Sequence, residues 1–339
     1  MTRSTLWRIL LAALLLTIGS LVLGVGWSYY RFVTTPVELP EGKTRIELQR
    51  GTSLLALARQ MAEQGIIRQP YQFVLLTYLH RDQSRLKAGE YEVVSGMTPG
   101  QILARFTSGQ VIQYSLTLVE GWTFRQALAA MDAHEKLRAD HLTALSDDAL
   151  MAALGRGGEH PEGRFFPDTY QFTARTSAID ILRRALDRMD HILAEEWEQR
   201  RPGLPIATPY EALILASIVE KETGVPSERA RIAGVFVRRL QKGMRLQTDP
   251  TVIYGLGTRY DGNIRSADLR EATPYNTYVI TGLPPTPIAL PGRDAIRAAL
   301  QPAPGDSLYF VARGDGTHEF SPTLDAHNRA VRRFILSKP

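Results

Sequence analysis

The sequence contains no cysteine among its 339 residues. This absence excludes disulfide bonds, metal sites built on thiolates and a cysteine nucleophile. It also excludes a lipid-modified cysteine at the N-terminus, so any attachment to a membrane must come from the polypeptide itself.

The chain also lacks a strong excess of one charge, because its formal net charge is only +5. Lysine and arginine do not form the dense block with interleaved aromatic residues that a nucleic-acid groove needs, so we expect no nucleic-acid partner. The mild positive charge is compatible with an anionic membrane or polymer. With 44% hydrophobic and 22% charged residues, the chain can bury one large core or roughly two to three smaller ones.

Motifs for several common catalytic chemistries are absent. The sequence has no HExxH motif, no P-loop and no G-x-S-x-G elbow. Its seven histidines do not pair at the spacing of metal ligands, and we interpret His318 and His327 as exposed or satisfied surface histidines. We therefore predict no metal and no organic cofactor, which leaves carboxylates as the candidate catalytic groups.

Only one apolar run is long enough to cross a bilayer, at residues 9–27. At ~1.5 Å per helical residue, this run spans a hydrocarbon core of roughly 30 Å. Arg3 and Arg8 precede it, and positive charge stays on the cytoplasmic side. This pattern predicts an N-terminus inside the cell and a chain that lies mostly in the periplasm, anchored in the inner membrane by a single pass.

A cleaved signal peptide is the competing interpretation of the same run. Its apolar region is usually roughly 7 to 15 residues long and ends in a small-x-small cleavage site. The present run is longer and is followed by the bulky sequence WSYYRF. We therefore predict a cytoplasmic N-terminus at 1–8, a transmembrane anchor at 9–30 and a linker at 31–43.

A small α+β domain is predicted at residues 44–114. Periodicity indicates these elements in order: strand 46–48, helix 54–62, strand 66–67, helix 71–80, strand 90–94 and helix 98–106. The first unit, IELQRGTSLLALARQMAEQGII, resembles LysM modules, which bind glycans that contain N-acetylglucosamine. A small structural unit without a sugar site is the alternative.

A larger α+β domain is predicted at residues 115–339, with helices at 123–134, 140–154 and 177–199. Between the last two helices, the aromatic cluster in EGRFFPDTY favours a core position. Its flanking acids, Glu162 and Asp168, make the wall of a cleft the second interpretation.

The centre of this domain is predicted to contain two helices and a polar loop. Pro209 suits the first turn of a helix, and the segment 224–226 stops that helix. We expect Ser227 to cap a second helix, which ends before Gly243. The following segment, 245–254, is predicted to be a loop rich in groups that hydrogen-bond sugars.

The first of these helices carries two candidate acids near its end. Ala212, Ala216 and Glu220 fall on one helical face. Glu222 also borders apolar positions, so the periodicity does not choose between the two acids. A glutamate beside an apolar wall has a raised pKa, because desolvation disfavours its charged form, and it can donate a proton near neutral pH.

Six segments of the sequence resemble the endolytic murein transglycosylases of the MltG (YceG-like) family. These are EGRFFPDTY at 162–170, ASIVEKET at 216–223, MRLQTDPTVIYGLG at 244–257, YNTY at 275–278, GLPPTPIALPG at 282–292 and LYFVARGDGTHEFSPTLDAHN at 308–328. The resemblance implies one catalytic glutamate at Glu220 rather than Glu222. A local departure is Arg164, where the family is expected to have an aromatic residue.

The resemblance also implies the reaction and the partners. The reaction is cleavage, without water, of the β-1,4 bond between N-acetylmuramic acid and N-acetylglucosamine, which leaves a 1,6-anhydro end. The implied substrate contacts are Gln247, Asp249, Tyr254, Asn276 and Thr277. The implied partners are peptidoglycan glycan strands, the inner membrane and penicillin-binding proteins that synthesise glycan.

The prediction is therefore an α+β protein with a single N-terminal transmembrane helix, a small LysM-like domain and a larger catalytic domain. Two other functions remain open. One is a hydrolysing muramidase, with Glu220 as acid and Asp249 as base or nucleophile. The other is a scaffold that binds peptidoglycan without cleaving it.

Overall fold

The computed structural model describes residues 3–49, 51–82 and 86–336. The chain divides into two compact units, Met1–Tyr114 and Ser115–Pro339. The first two residues of the predicted cytoplasmic segment and the last three of the predicted catalytic domain lie outside the described residues.

The first unit begins with a long helix, α1 (Arg3–Thr34). Within the described part of the chain, its segment Trp7–Thr34 is the one helix long and apolar enough to cross a membrane, with a mean hydropathy of 2.5. The helix ends there because Pro36 disfavours helical geometry at the residue before it.

The remainder of the first unit is a small α+β structure. Its elements are β1 (Lys43–Leu48), α2 (Leu54–Glu63), α3 (Pro70–Leu79), β2 (Gly89–Val94) and α4 (Pro99–Ser108). The two strands pair antiparallel, with Ile46 opposite Tyr91, and both residues are fully buried in the core of this unit. The mixed architecture is as predicted, whereas the LysM resemblance stays a prediction.

The predicted strand at residues 66–67 is wrong. Ile66 and Ile67 are buried, but their backbone N–H groups donate to the carbonyl of Met61, at 2.8 and 3.4 Å, and so close the end of α2. Gly65, at φ +70°, makes this turn possible. An apolar pair can fill a core without forming a strand.

The second unit is mainly helical, with short strands in pairs. Its elements are β3 (Gln113–Thr117), α5 (Phe124–Asp132), β4 (Leu137–Arg138), α6 (Asp147–Ala153), β5 (Thr169–Thr173), β6 (Thr176–Ser177), α7 (Ala178–Glu198), α8 (Pro209–Glu222), α9 (Pro226–Gln241), α10 (Asp249–Leu256), α11 (Arg293–Leu300), β7 (Tyr309–Ala312), β8 (His318–Ser321) and α12 (Leu324–Val331). Strand β3 pairs with β5, β4 with β6 and β7 with β8.

Helix α8 is the centre of the core of this unit. All eight residues from Ala212 to Val219 are buried, and α7, α9, α10 and α11 contact the helix. A helix that is apolar on every face is stable only when other elements surround it. The last turn of α8, with both candidate acids, is therefore held at a fixed place in the core.

Two local predictions in this region are wrong. Ser227 does not cap α9, because Pro226 occupies the first helical position, and Val225 precedes it as an N-cap without a side-chain bond. The fixed φ of proline favours that position. The predicted loop 245–254 becomes helical at Asp249, because an acidic residue followed by proline suits a first helical turn.

The aromatic cluster of EGRFFPDTY belongs to the core, as the first interpretation held. Phe165, Phe166 and Tyr170 are all buried. Arg164 makes ion pairs with Glu159 at 2.6 Å and with Asp190 at 3.3 Å. This arginine therefore ties the segment to α7 rather than contributing to an aromatic wall.

A buried carboxylate joins α7 to α11. Glu196 is 1% exposed and accepts hydrogen bonds from Arg293, at 2.6 Å, and from Arg297, at 2.9 and 3.1 Å. Burial by itself raises the pKa of Glu196, but the two guanidinium groups outweigh it and lower the pKa below its usual value. The ionised form is therefore the one that stabilises the fold.

We expect Glu196→Gln to lower the free energy of unfolding by about 2 kcal/mol, because the arginines lose a buried partner but are themselves half exposed. Urea unfolding of the detergent-solubilised chain measures this loss. The wild-type contribution should be present above the unfolded pKa of the carboxyl and should disappear as the pH falls through the lowered folded value. Glu198→Gln, at an exposed position on α7, is the control. Equal stability of the two variants would contradict the prediction.

Candidate active site

Glu220 lies in the last turn of α8, and its side chain is only 6% exposed. Its Oε2 accepts a hydrogen bond of 2.9 Å from the backbone N–H of Gly292. Its Oε1 lies 3.6 Å from Nη2 of Arg229, in the first turns of α9. The carboxyl therefore has one neutral donor and one cation beside it.

Arg229 is shared among three carboxylates. Besides Glu220, its guanidinium lies 3.9 Å from Glu120 and 3.5 Å from Asp294. Arg229 is 12% exposed, whereas the side chains of Glu120 and Asp294 are 50% and 66% exposed. One largely buried cation thus faces three acids, two of which lie at the surface.

A turn around Gly121 brings Glu120 to this place. The N–H of Gly121 donates to the carbonyl of Leu290, at 2.9 Å, and its carbonyl accepts from Lys221 Nζ, at 3.1 Å. A Cβ atom at position 292 would collide with the carboxylate of Glu120. Glycine at 292 is therefore needed to let that carboxylate lie against the backbone.

The environment of Glu220 favours its protonated form. Burial is the largest cause of its raised pKa, and the negative charges of Glu120 and Asp294 raise it further. The hydrogen bond from Gly292 and the charge of Arg229 act in the opposite direction. The site therefore contains groups that stabilise each of the two protonation states.

Glu222 has different neighbours. Its Oε1 accepts a hydrogen bond from the hydroxyl of Thr248. Burial raises the pKa of Glu222 to about 7, with a further increase from Asp249, while the hydrogen bond from Thr248 and the charge of His318 oppose it. Both acids that the sequence left tied are therefore perturbed, in two separate surroundings.

Gln247 and Asp249 lie on the Glu222 side. The backbone of Gln247 adopts φ +52°, and its N–H donates to the carbonyl of Thr277 at 3.2 Å. Asp249 accepts a hydrogen bond of 2.6 Å from the hydroxyl of Tyr278. Both residues are exposed. The two predicted segments, 245–254 and 275–278, thus meet as expected, but next to Glu222.

Asn276 and Thr277 are buried, at 1% and 0% exposure. The amide of Asn276 donates to the carbonyls of Glu271 and Asp268, at 2.7 and 3.0 Å. The hydroxyl of Thr277 accepts from the N–H of Thr248, at 3.0 Å. These side chains hold the two segments together, and a contact with substrate stays a prediction for both.

Tyr254 is connected to a third buried acid, Glu162. The tyrosine hydroxyl donates to Glu162 Oε2, at 3.1 Å, and the N–H of Phe124 donates to Oε1, at 2.9 Å. Burial raises the pKa of Glu162 to about 7. Sequence reasoning named Glu162 only as the flank of a cleft wall, and its position in the EGRFFPDTY segment was the signal that could have marked it as a site residue.

Two other residues have roles that the sequence did not predict. Arg239, predicted at the basic end of a helix, is buried and donates to the carbonyls of Leu246 and Leu308, at 2.8 and 2.6 Å. His318 is not a surface histidine, because it is 12% exposed and its Nδ1 lies 2.7 Å from Glu228. Both support the loop and hairpin next to Glu222.

An open groove of about 440 Å³ lies at the other end of α8. Its lining comes from residues 205–214, Leu240 and residues 282–285. The segment 282–292 then follows α8, since Ile288 donates to Ser217 at 3.0 Å and Gly292 donates to Glu220. At ~1.5 Å per residue, the groove begins roughly 10 Å or more from the acid along the helix.

Among residues 3–49, 51–82 and 86–336, no group of three or more histidine, aspartate or glutamate side chains is arranged to hold a metal ion. The chemistry that these residues can perform is therefore proton transfer by carboxyl groups with raised pKa values.

A mixed α+β fold with buried carboxyl groups and one apolar N-terminal helix defines the class of protein. Residues 46–333 match the YceG-like family, and the chain belongs to that family. It is 31% identical over 335 residues to a Bacillus subtilis (strain 168) protein named endolytic murein transglycosylase, covering 94% of this chain and 92% of that protein. A protein of the same name from Streptococcus pneumoniae serotype 2 (strain D39) is 26% identical over 347 residues, which are 92% of this chain and 62% of that protein.

A solved structure supports the fold. The crystal structure of a YceG-like protein from Listeria monocytogenes aligns with a TM-score of 0.56 and 31% identity. The alignment covers 85% of this chain and 99% of that one.

We expect Thr248→Val to raise the pKa of Glu222 above its value of about 7, because the carboxylate loses the hydroxyl that stabilises its charged form. NMR titration of protein labelled at the glutamate carboxyl carbon measures this shift. Glu222→Gln identifies the signal, and Thr258→Val, at an exposed position, is the control. An unchanged or lowered pKa in Thr248→Val would show that the hydrogen bond does not stabilise the carboxylate.

Proposed function

We propose that this protein is a membrane-anchored lytic transglycosylase that cleaves peptidoglycan within its glycan strands, with Glu220 as the single acid and base. The observation that carries the proposal is the Glu220 carboxyl, which is buried, has a raised pKa and lies in the ASIVEKET segment of a YceG-like chain. The two relatives named endolytic murein transglycosylases supply the substrate and the class of reaction.

In the first step, protonated Glu220 donates its proton to the oxygen of the β-1,4 bond between N-acetylmuramic acid and N-acetylglucosamine as the bond to C1 breaks. The N-acetyl group of the substrate stabilises the positive charge that develops at C1. In the second step, the Glu220 carboxylate removes the proton from the C6 hydroxyl, and O6 bonds to C1. The 1,6-anhydro ring forms without water, and Glu220 regains its proton.

The neighbours of Glu220 suit both steps. Glu120 and Asp294 disfavour its charged form before the first step, which keeps a proton available near neutral pH. Arg229 and the N–H of Gly292 stabilise the carboxylate that remains after donation. Glu222 instead accepts the hydroxyl of Thr248 and has no arginine ion pair within the described residues, which favours Glu220 for the role.

The predicted substrate contacts divide into two groups in this proposal. Gln247 and Asp249 have exposed side chains that can reach a sugar directly. Tyr254, Asn276 and Thr277 support the same wall through their hydrogen bonds to neighbouring segments. The groove at the first turns of α8 would extend this wall for a longer glycan strand.

Helix α1 is proposed as the anchor in the inner membrane. Its apolar segment is long enough to span the bilayer, and Arg8 near its start favours a cytoplasmic N-terminus. The rest of the chain would then lie in the periplasm, where nascent glycan strands and the penicillin-binding proteins that make them are located.

We expect Glu220→Gln to lower the rate of formation of 1,6-anhydro ends by roughly 10²- to 10⁴-fold, because the acid and base are both lost. Mass spectrometry of digested peptidoglycan measures these ends. Glu222→Gln is the matched control and should keep most of the activity. Full activity of Glu220→Gln would overturn the proposal. Reducing ends with ¹⁸O from labelled water would instead identify the muramidase, and binding without cleavage would identify the scaffold.

We expect the pH profile of cleavage to shift in opposite directions in two variants. Glu120→Gln removes a negative charge that raises the pKa of Glu220, so activity should be lost at a lower pH on the alkaline side. Arg229→Gln removes the opposing charge, so this loss should move to a higher pH. Initial rates between pH 4 and pH 9, roughly, test both shifts. Identical profiles in both variants and in Glu198→Gln would show that Glu220 is not the titrating donor.

A further inference from the structure

Helix α3 exposes an apolar face that the core does not use. Tyr71, Leu75, Tyr78 and Leu79 are 68%, 43%, 59% and 63% exposed. At 100° per residue, they fall within an arc of roughly 100° on the helix. We call these four residues the α3 stripe. Large side chains that remain exposed together in one stripe usually mark a contact surface.

The orientation of α3 is set by its other face. Phe73, Leu76 and Thr77 are 0% exposed, and the two apolar side chains belong to the core of the first unit. Rotation that buried the α3 stripe would expose these residues. The stripe is therefore a fixed outer surface of this unit.

The α3 stripe adjoins the end of the apolar segment of α1. Gln72, at the edge of the stripe next to Leu79, donates a hydrogen bond of 3.0 Å to Ser28. Trp27 and Tyr30, on either side of Ser28, are 64% and 59% exposed, and their rings stack with centroids 5.9 Å apart. Aromatic residues at this point of a membrane-spanning helix are typical of the interface between lipid and water.

Basic residues flank the stripe. Arg68 precedes α3 and Arg81 follows it, both exposed, and the helix itself carries no acidic residue. Arginine side chains at the ends of such a helix can reach anionic lipid headgroups while the apolar face enters the acyl boundary. Neither an aqueous surface nor a purely hydrocarbon environment suits this combination.

We propose that α3 is a second membrane contact, which lies in the lipid interface with the α3 stripe facing the acyl chains and with Arg68 and Arg81 at anionic headgroups. The inference rests on the proposed anchoring of α1. It follows from the continuity of the stripe with the apolar surface of α1 and from the charge at both of its ends. The first unit would thus be held against the bilayer by two elements rather than suspended from one.

The absence of cysteine allows single-cysteine labelling of the full-length chain. Leu75→Cys and Leu79→Cys report on the stripe, and Val22→Cys reports on α1. Glu41→Cys is the control, because Glu41 is exposed in a turn beyond the end of α1. Each variant carries an environment-sensitive fluorophore and is reconstituted in vesicles that contain phosphatidylglycerol.

We expect shallow nitroxide lipids to quench the labels at 75 and 79 about threefold more than the label at 41, and iodide in the buffer to quench them less. Replacing Arg68 and Arg81 by glutamine should reduce the lipid quenching in anionic vesicles but not in zwitterionic ones. Labels at 75 and 79 as open to iodide as the label at 41 would overturn the inference.

Two further outcomes separate the inference from related ideas. Protection from iodide without quenching by lipid would mean that a protein surface or a second copy covers the stripe, which also overturns the inference. Lack of quenching at position 22 by deep nitroxide lipids would contradict the anchor itself. Quenching at 22 but not at 75 or 79 would leave the anchor and refute only the α3 contact.

Discussion

The burial of one apolar helix, α8, is the constraint on which the site depends. Eight consecutive residues of this helix are buried, so α7, α9 and α11 must surround it. Its last turn then lies where water is scarce, and the carboxyl groups of Glu220 and Glu222 are both disfavoured in their charged forms. The end of a helix also carries partial negative charge, which acts in the same direction. The packing requirement of the core thus prepares acids that can hold a proton near neutral pH.

The site around Glu220 is balanced rather than simply apolar. A buried carboxyl among hydrophobic side chains alone would hold its proton and act poorly as a base. Here Arg229 and the N–H of Gly292 stabilise the charged form, while Glu120 and Asp294 oppose it. A single residue that must first donate and then accept a proton needs such opposing neighbours. The requirement for glycine at 292, which makes room for Glu120, is part of the same balance.

Much of the local structure could be predicted from the sequence, because it depends on neighbours along the chain. The start of α8 at Pro209, its end before Pro226 and the helical pattern of α2 and α7 follow from proline geometry and apolar periodicity. The errors have the same origin. Ile66 and Ile67 have the composition of a strand but complete the turn after α2, since burial alone does not require a strand partner.

The sequence by itself determined the apolar anchor segment, the helix with its two acids and the motifs that resemble the family. Only the tertiary structure distinguished the surroundings of those acids. Glu120, Arg229 and Gly292 come from separate segments that meet at Glu220, whereas Thr248 approaches Glu222. Periodicity records which side of a helix faces the core, but not which distant residue packs against it. The charge neighbours of a buried acid, and hence its pKa, therefore depend on long-range packing.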